Sequence, residues 1–159
     1  MSRNKKPRKA YKPKPVIKNP LVFLQPAVQA DQTRLLNRAY SALDCMVNGK
    51  DPRPEEWRDC ADVVNVIETM ALHTGQLAAD EVRDDVLTAS ESMRAAERRF
   101  KAGQGLRLDG PGIQAMREVL DVYAQALGGL TAMEMERVFA ETRHQVAQRV
   151  REGYEVVSI

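Results

Sequence analysis

From position 31 onward the apolar residues recur at steps of three and four between glycine and proline breaks, the pattern of successive amphipathic helices. The first stripe is Leu35, Leu36, Ala39, Tyr40, Leu43, Met46 and Val47. Asp31 is a suitable N-cap for this helix, which is predicted to reach about Asn48, with Gly49 as a left-handed terminator. Asp51-Pro52-Arg53-Pro54 reads as a turn, and Pro54 suits the first turn of a second helix. That helix carries Trp57, Cys60, Ala61, Val63, Val64, Ile67, Met70 and Ala71, and stops near Gly75.

A third helix is predicted over about 78–102, with Val82, Val86, Ala89, Met93, Ala96 and Phe100 inward and Gly103 beyond its end. The stretch from Gly103 to Gly112 is the long break in the body. Leu106 and Leu108 alternate there with polar residues, which predicts an extended connection pinned by two leucines. A fourth helix follows over about 111–127, burying Ile113, Met116, Leu120, Tyr123 and Leu127 and ended by Gly128-Gly129. Thr131-Ala132-Met133-Glu134 is a capping box that opens a fifth helix. Its inward positions are Met135, Val138, Phe139, Thr142, Val146 and Val150, and Gly153 ends it. No internal repeat is visible, and no stripe crosses the breaks for the three or four heptads of a coiled coil.

Residues 1–30 behave differently. They hold five of the eight prolines, which remove amide donors and push their predecessors toward extended backbone. A helix of any length is excluded there. The expectation is a flexible arm over 1–15, then an extended strap whose Val16, Ile17, Leu21, Val22, Phe23 and Leu24 lie on the body or on a partner. The organisation predicted is therefore a basic, Pro-rich arm and strap (1–30), a helical bundle (31–153) and a C-terminal tail (154–159), either frayed or a short strand. The fold class is all-α, a bundle of about five helices. Low aromatic content, 5%, and a body rich in Ala, Leu, Val, Met, Glu and Arg agree with helices over sheets.

Charge sharpens this division. All eight charged residues of the first thirty are positive, and the remaining 129 hold sixteen Lys or Arg against twenty-two Asp or Glu. A +8 arm is thus joined to a −6 body, which the overall +2 conceals. Cations on an extended chain displace condensed counterions from a phosphate backbone, so the arm predicts a polyanionic partner. The candidate nucleic-acid-binding residues are Arg3, Lys5, Lys6, Arg8, Lys9, Lys12, Lys14 and Lys18, with Tyr11 offering a ring for stacking on an unpaired base. An acidic protein surface, or a solvated tail without a specific partner, is the alternative for the same residues. Arg94, Arg98, Arg99 and Lys101 form a secondary basic group that extends the footprint or merely complements a helix dipole and Glu97.

Other chemistry finds little to build on. Cys45 and Cys60 lack Cys-x-x-Cys spacing and a nearby His pair, so they are expected as reduced, small apolar residues, and no zinc site is predicted. Asp80 and Asp84 share a helix face, but carboxylates in a first turn are explained by the helix dipole, and no metal is expected. Those acids also oppose a helix-turn-helix reading around Met70-Ala71 and Gly75, because the reading helix would face phosphates with Asp80, Glu81, Asp84 and Asp85. Glu141 and His144 make one Glu-x-x-His, yet His73 lies five after Glu68 and completes no second copy. Both histidines are expected late in their helices. The glycine-rich connection lacks the Gly-Lys-Ser/Thr of a phosphate loop, and no Gly-x-Ser-x-Gly occurs. No catalytic residue and no cofactor are predicted, so the chain reads as non-enzymatic.

Arg8-Lys9-Ala10-Tyr11-Lys12-Pro13-Lys14-Pro15-Val16 resembles the start of a group of small uncharacterised proteins encoded by tailed phages and prophages of proteobacteria, which begin with a basic Tyr-x-Pro-x-Pro-Val segment. Leu106-Arg107-Leu108-Asp109-Gly110-Pro111-Gly112-Ile113-Gln114-Ala115-Met116-Arg117-Glu118 is similar to that group's glycine-bounded turn entering a helix. The resemblance implies an origin, a phage accessory protein made in a bacterial cytoplasm, and brings no site residues with it. No apolar run approaches the ~18 residues of a membrane span, and Leu21 to Leu24 is too short for a signal-peptide core, so a soluble cytoplasmic chain is expected. The functional expectation is an accessory protein holding nucleic acid or a nucleoprotein by its arm. The alternative is a phage inhibitor or adaptor that engages a host or defence protein through the acidic helical surface. Met116, Met133 and Met135, where exposed, would mark a homo-oligomer interface.

Overall fold

The computed structural model describes residues 29–75 and 77–153. Five α-helices make up this region: α1 Gln29–Asn48, α2 Pro54–Leu72, α3 Ala79–Lys101, α4 Gly110–Gly129 and α5 Ala132–Arg151. No strand occurs among the described residues, and the all-α bundle follows from the helical spacing of the apolar positions.

α2 is the axis of the bundle, packing against α1, α3, α4 and α5. Its sequence explains why: Trp57, Cys60, Ala61, Val63, Val64, Val66, Ile67 and Met70 form a wide apolar face, and the exposed polar residues are confined to a stripe at Glu55, Arg58 and Asp62, so most of the helix must be covered. Two polar residues, Asn65 and Thr69, are buried with them, and Thr69 Oγ1 donates to the Asn65 carbonyl at 2.8 Å, so the hydroxyl is satisfied within the helix. Trp57 is fully buried, and its indole Nε1 donates to the Met93 carbonyl of α3 at 3.1 Å. Around this axis Met46, Met93, Met116, Leu120, Leu127 and Val138 close the core.

The connection from α3 to α4 is pinned by Leu106 and Leu108, both buried. Arg107 between them reaches outward, and its Nη2 donates to the Gly49 and Lys50 carbonyls at 2.8 and 3.2 Å, tying this connection to the turn between α1 and α2. α4 starts at Gly110, one residue before the expected start, because Asp109 is its N-cap: Oδ1 accepts from the Gly112 amide at 2.9 Å and from Ser92 Oγ of α3 at 2.7 Å. α5 opens with the predicted capping box, Thr131 Oγ1 accepting from the Glu134 amide at 3.3 Å while Glu134 Oε2 accepts from the Thr131 amide at 2.8 Å.

Several expectations are corrected. α1 begins at Gln29, so Asp31 is not its cap but lies in the first turn, 3.9 Å from Arg34. Gly49 is not left-handed; positive φ occurs at Gly75, Gly103 and Gly153. Gly49 is needed instead for space, since a Cβ there would stand 2.3 Å from the Cys45 carbonyl oxygen. Tyr40, Phe100 and Val150 are exposed, not inward. α5 packs chiefly on α2, so only Val138 and Thr142 of its stripe are fully covered. Tyr40 finds a partner at the surface, its hydroxyl donating to Asp121 of α4 at 3.2 Å.

Candidate nucleic-acid interface

The residues singled out for nucleic acid, Arg3, Lys5, Lys6, Arg8, Lys9, Tyr11, Lys12, Lys14 and Lys18, lie outside the described residues, as do residues 16–28 of the strap and the tail over 154–159, whereas Gln29 and Ala30, expected in the strap, belong to α1. What the body defines is where the arm is attached. Gln32 in the first turns of α1 donates from Nε2 to the Leu127 carbonyl in the last turns of α4 at 2.6 Å. The leader therefore joins the bundle at the end formed by the start of α1 and the close of α4.

Several of the body's own cations hold partners within the body. Arg38 of α1 grips Asp59 of α2 with two hydrogen bonds, one of them 2.7 Å from Nε, and this pairing raises the guanidinium pKa further above its ordinary value. Arg53 pairs with Glu56 at 2.5 Å, and its guanidinium holds the Glu56 carboxyl below the usual range. Arg149 of α5 meets Glu68 of α2 in a two-point pair at 2.6 and 3.0 Å. In the secondary basic group, Lys101 pairs with Glu97 at 2.5 Å and Arg99 donates to the Arg107 carbonyl at 2.6 Å. That group is mostly internal scaffolding, and Arg94 is its exception.

The other constellations stay isolated. No group of three or more His, Cys, Asp or Glu able to hold a metal occurs among the described residues. His73 caps the C-terminus of α2 as expected, but His144 stands in the middle of α5, well before its end at Arg151, which corrects its placement. Glu141 accepts from the Gln145 side-chain amide at 2.7 Å. Both cysteines are free thiols; burial pushes the Cys60 thiol up to about 12, which makes it inert. No described helix is long and apolar enough to cross a membrane. Met116 is buried and Met133 exposed.

Two surface recesses were not legible beforehand, because each joins residues far apart in the chain. A polar groove of about 570 Å³ lies between α2, α3 and α5, lined by Glu68, His73, Arg94, Gln145, Gln148, Arg149 and Glu152. Arg94 is half-buried there, and its Nε is the one buried side-chain nitrogen or oxygen among the described residues with no hydrogen-bond partner. Such an orphaned donor costs about 1–3 kcal/mol. A mainly apolar recess of about 220 Å³ lies between α2 and α3, lined by Ala71, Leu72, Ala79, Val82, Val86 and Leu87 together with Glu68 and Arg83, with Leu72 and Leu87 exposed on its banks. No family model matches the chain, and neither a curated protein nor a solved structure matches it.

Proposed function

We propose that the chain is a non-enzymatic accessory protein of phage type that binds nucleic acid, or a nucleoprotein, through Arg3, Lys5, Lys6, Arg8, Lys9, Lys12, Lys14 and Lys18. The observation that supports this reading best is the division of charge. Eight cations without one acid form the leader, whereas Arg38, Arg53, Lys101 and Arg149 of the body already hold carboxylates of their own. A leader of eight cations with no acid of its own gains counterion-release free energy on any phosphate backbone. The body contributes the fold that presents it, and its net negative charge discourages the bundle itself from lying on a polyanion. Removing residues 1–15 tests the reading. Retention of mixed-sequence nucleic acid should vanish while the helical circular dichroism stays nearly unchanged; equal retention by the shortened chain refutes it.

A second reading is favoured by the apolar recess. Leu72 and Leu87 stand exposed beside the acidic start of α3, with Asp80 and Asp84 on the same helix, a combination suited to a protein partner with an apolar knob and a cationic rim. The chain would then be an inhibitor or adaptor of a host protein. Pull-down from nuclease-treated lysate separates the two: one stoichiometric protein supports the adaptor, and loss of every partner after nuclease supports the arm.

A further inference from the structure

The described part of the chain holds three half-buried arginines, Arg94, Arg99 and Arg149. Arg99 spends its guanidinium on the Arg107 carbonyl, and Arg149 on Glu68. Arg94 makes no hydrogen bond or ion pair among the described residues, although its Nε is closed off from solvent. A donor shut away from water without an acceptor is unfavourable, and of the two carboxylates that line the groove Glu68 is held by Arg149 while Glu152 accepts from Gln148. The groove thus keeps one cationic fork in reserve.

The rest of the lining is polar on both sides. Gln145 gives one amide N–H to Glu141 at 2.7 Å, and Gln148 gives one to Glu152 at 2.8 Å, which leaves each side chain an amide oxygen to accept with and a second N–H to donate. Glu152 adds a carboxylate at the exposed rim. A free phosphate would satisfy Arg94 and confront the carboxylate of Glu152. A molecule carrying a carboxylate for Arg94 and an ammonium for Gln145, Gln148 and Glu152 satisfies both sides. We propose that the groove between α2, α3 and α5 is a binding site for a small zwitterion of the amino-acid or short-peptide class, its carboxylate seated on Arg94. The volume, about 570 Å³, is in the range of small-molecule sites. No residue named in this site belongs to the basic leader.

The test is titration of the full chain with glycine and glycylglycine, beside acetate, methylammonium and inorganic phosphate, followed by NMR shifts of the Gln145, Gln148 and Arg94 side chains. The zwitterions should bind about tenfold or more tightly than any of the three control ions, since only they engage both ends of the site. Arg94→Gln should weaken zwitterion binding by about tenfold or more, while Arg143→Gln, an exposed arginine of the same charge on α5, leaves it unchanged. The melting temperature of Arg94→Gln without ligand should equal or exceed the parent's, because an orphaned donor has been removed. Glu152→Ala, at an exposed position, is a second variant that should weaken glycine and leave acetate unaffected. Zwitterions binding no better than acetate, phosphate binding as tightly as glycylglycine, or either variant binding like the parent overturns the proposal.

Discussion

Gly112 tests the packing of α4 against α3 most sharply. A Cβ at this position would lie 1.8 Å from Ser92 Oγ, 2.2 Å from Ser92 Cβ and 2.8 Å from Asp109 Oδ1. Ser92 Oγ could rotate away, but its Cβ is fixed to the α3 backbone, so Gly112→Ala must push the two helices apart. Overpacking of this kind costs about 1–3 kcal/mol. The same methyl displaces Asp109 from the Gly112 amide, a cap worth about 0.5–2 kcal/mol. Alanine returns about 0.5–1 kcal/mol through its better helix propensity. The net loss is about 0.5–4.5 kcal/mol, a fall of about 2–18 °C in melting temperature for a body of this size. Thermal unfolding followed by circular dichroism measures it. Gly128→Ala and Gly129→Ala are the controls: they lie in the same helix with ordinary φ and open space around the new methyl, so they should be neutral or stabilising by about 0.5–1 kcal/mol. Ser92→Gly should recover part of the loss in the Gly112→Ala background. If Gly112→Ala melts with the parent, the close approach of α3 and α4 is wrong.

Trp57→Phe removes the donor to the Met93 carbonyl and leaves space at the centre of the bundle, so it should destabilise by about 1–3 kcal/mol in urea unfolding, with no change of helical content at low denaturant. The Ser92 hydroxyl and the Gly112 amide hold the Asp109 carboxyl below the ordinary carboxylate range. Its stabilising effect is therefore complete above the unfolded-state pKa of about 3.9 and is lost as pH falls through the lower folded-state value; Asp109→Asn should flatten that acid limb of a stability-against-pH curve. Alkylation under native conditions should spare Cys60, whose thiol is buried and pushed up to about 12, and modify it only once the chain is unfolded; rapid native labelling of Cys60 would show that α2 is not the enclosed axis.

The helices were legible because apolar spacing and cap chemistry agree along the body. Thr131 with Glu134, Leu106 with Leu108, and Pro54 at the head of α2 each carry a local signal that tertiary packing did not override. Asp109 was missed since Gly110-Pro111-Gly112 has the composition of a turn; only the nearness of Ser92 reveals why glycine stands inside a first helical turn. Burial of Thr69 was likewise hidden, because a hydroxyl satisfied within its own helix can enter a core without an apolar spacing to announce it. Phe100 and Val150 read as inward from spacing alone, yet both stand near helix ends, where no further helix covers the stripe. The groove at Arg94 depends on Glu68 and Arg149, brought together from opposite parts of the chain by the crossing of α5 on α2, and no spacing rule reaches that far. The cationic leader, by contrast, is a matter of composition and was visible at once.

The proposed function depends on that leader, and the salt dependence of association with mixed-sequence duplex DNA is its sharpest test. With roughly eight phosphates neutralised, the logarithm of the association constant should fall linearly with the logarithm of salt concentration, with a slope no steeper than about −7. Replacing the eight leading Lys and Arg by Gln should remove both the affinity and the slope while the helical spectrum is preserved. Association that is indifferent to salt, or a glutamine-substituted chain that keeps the parent's slope, would contradict the account.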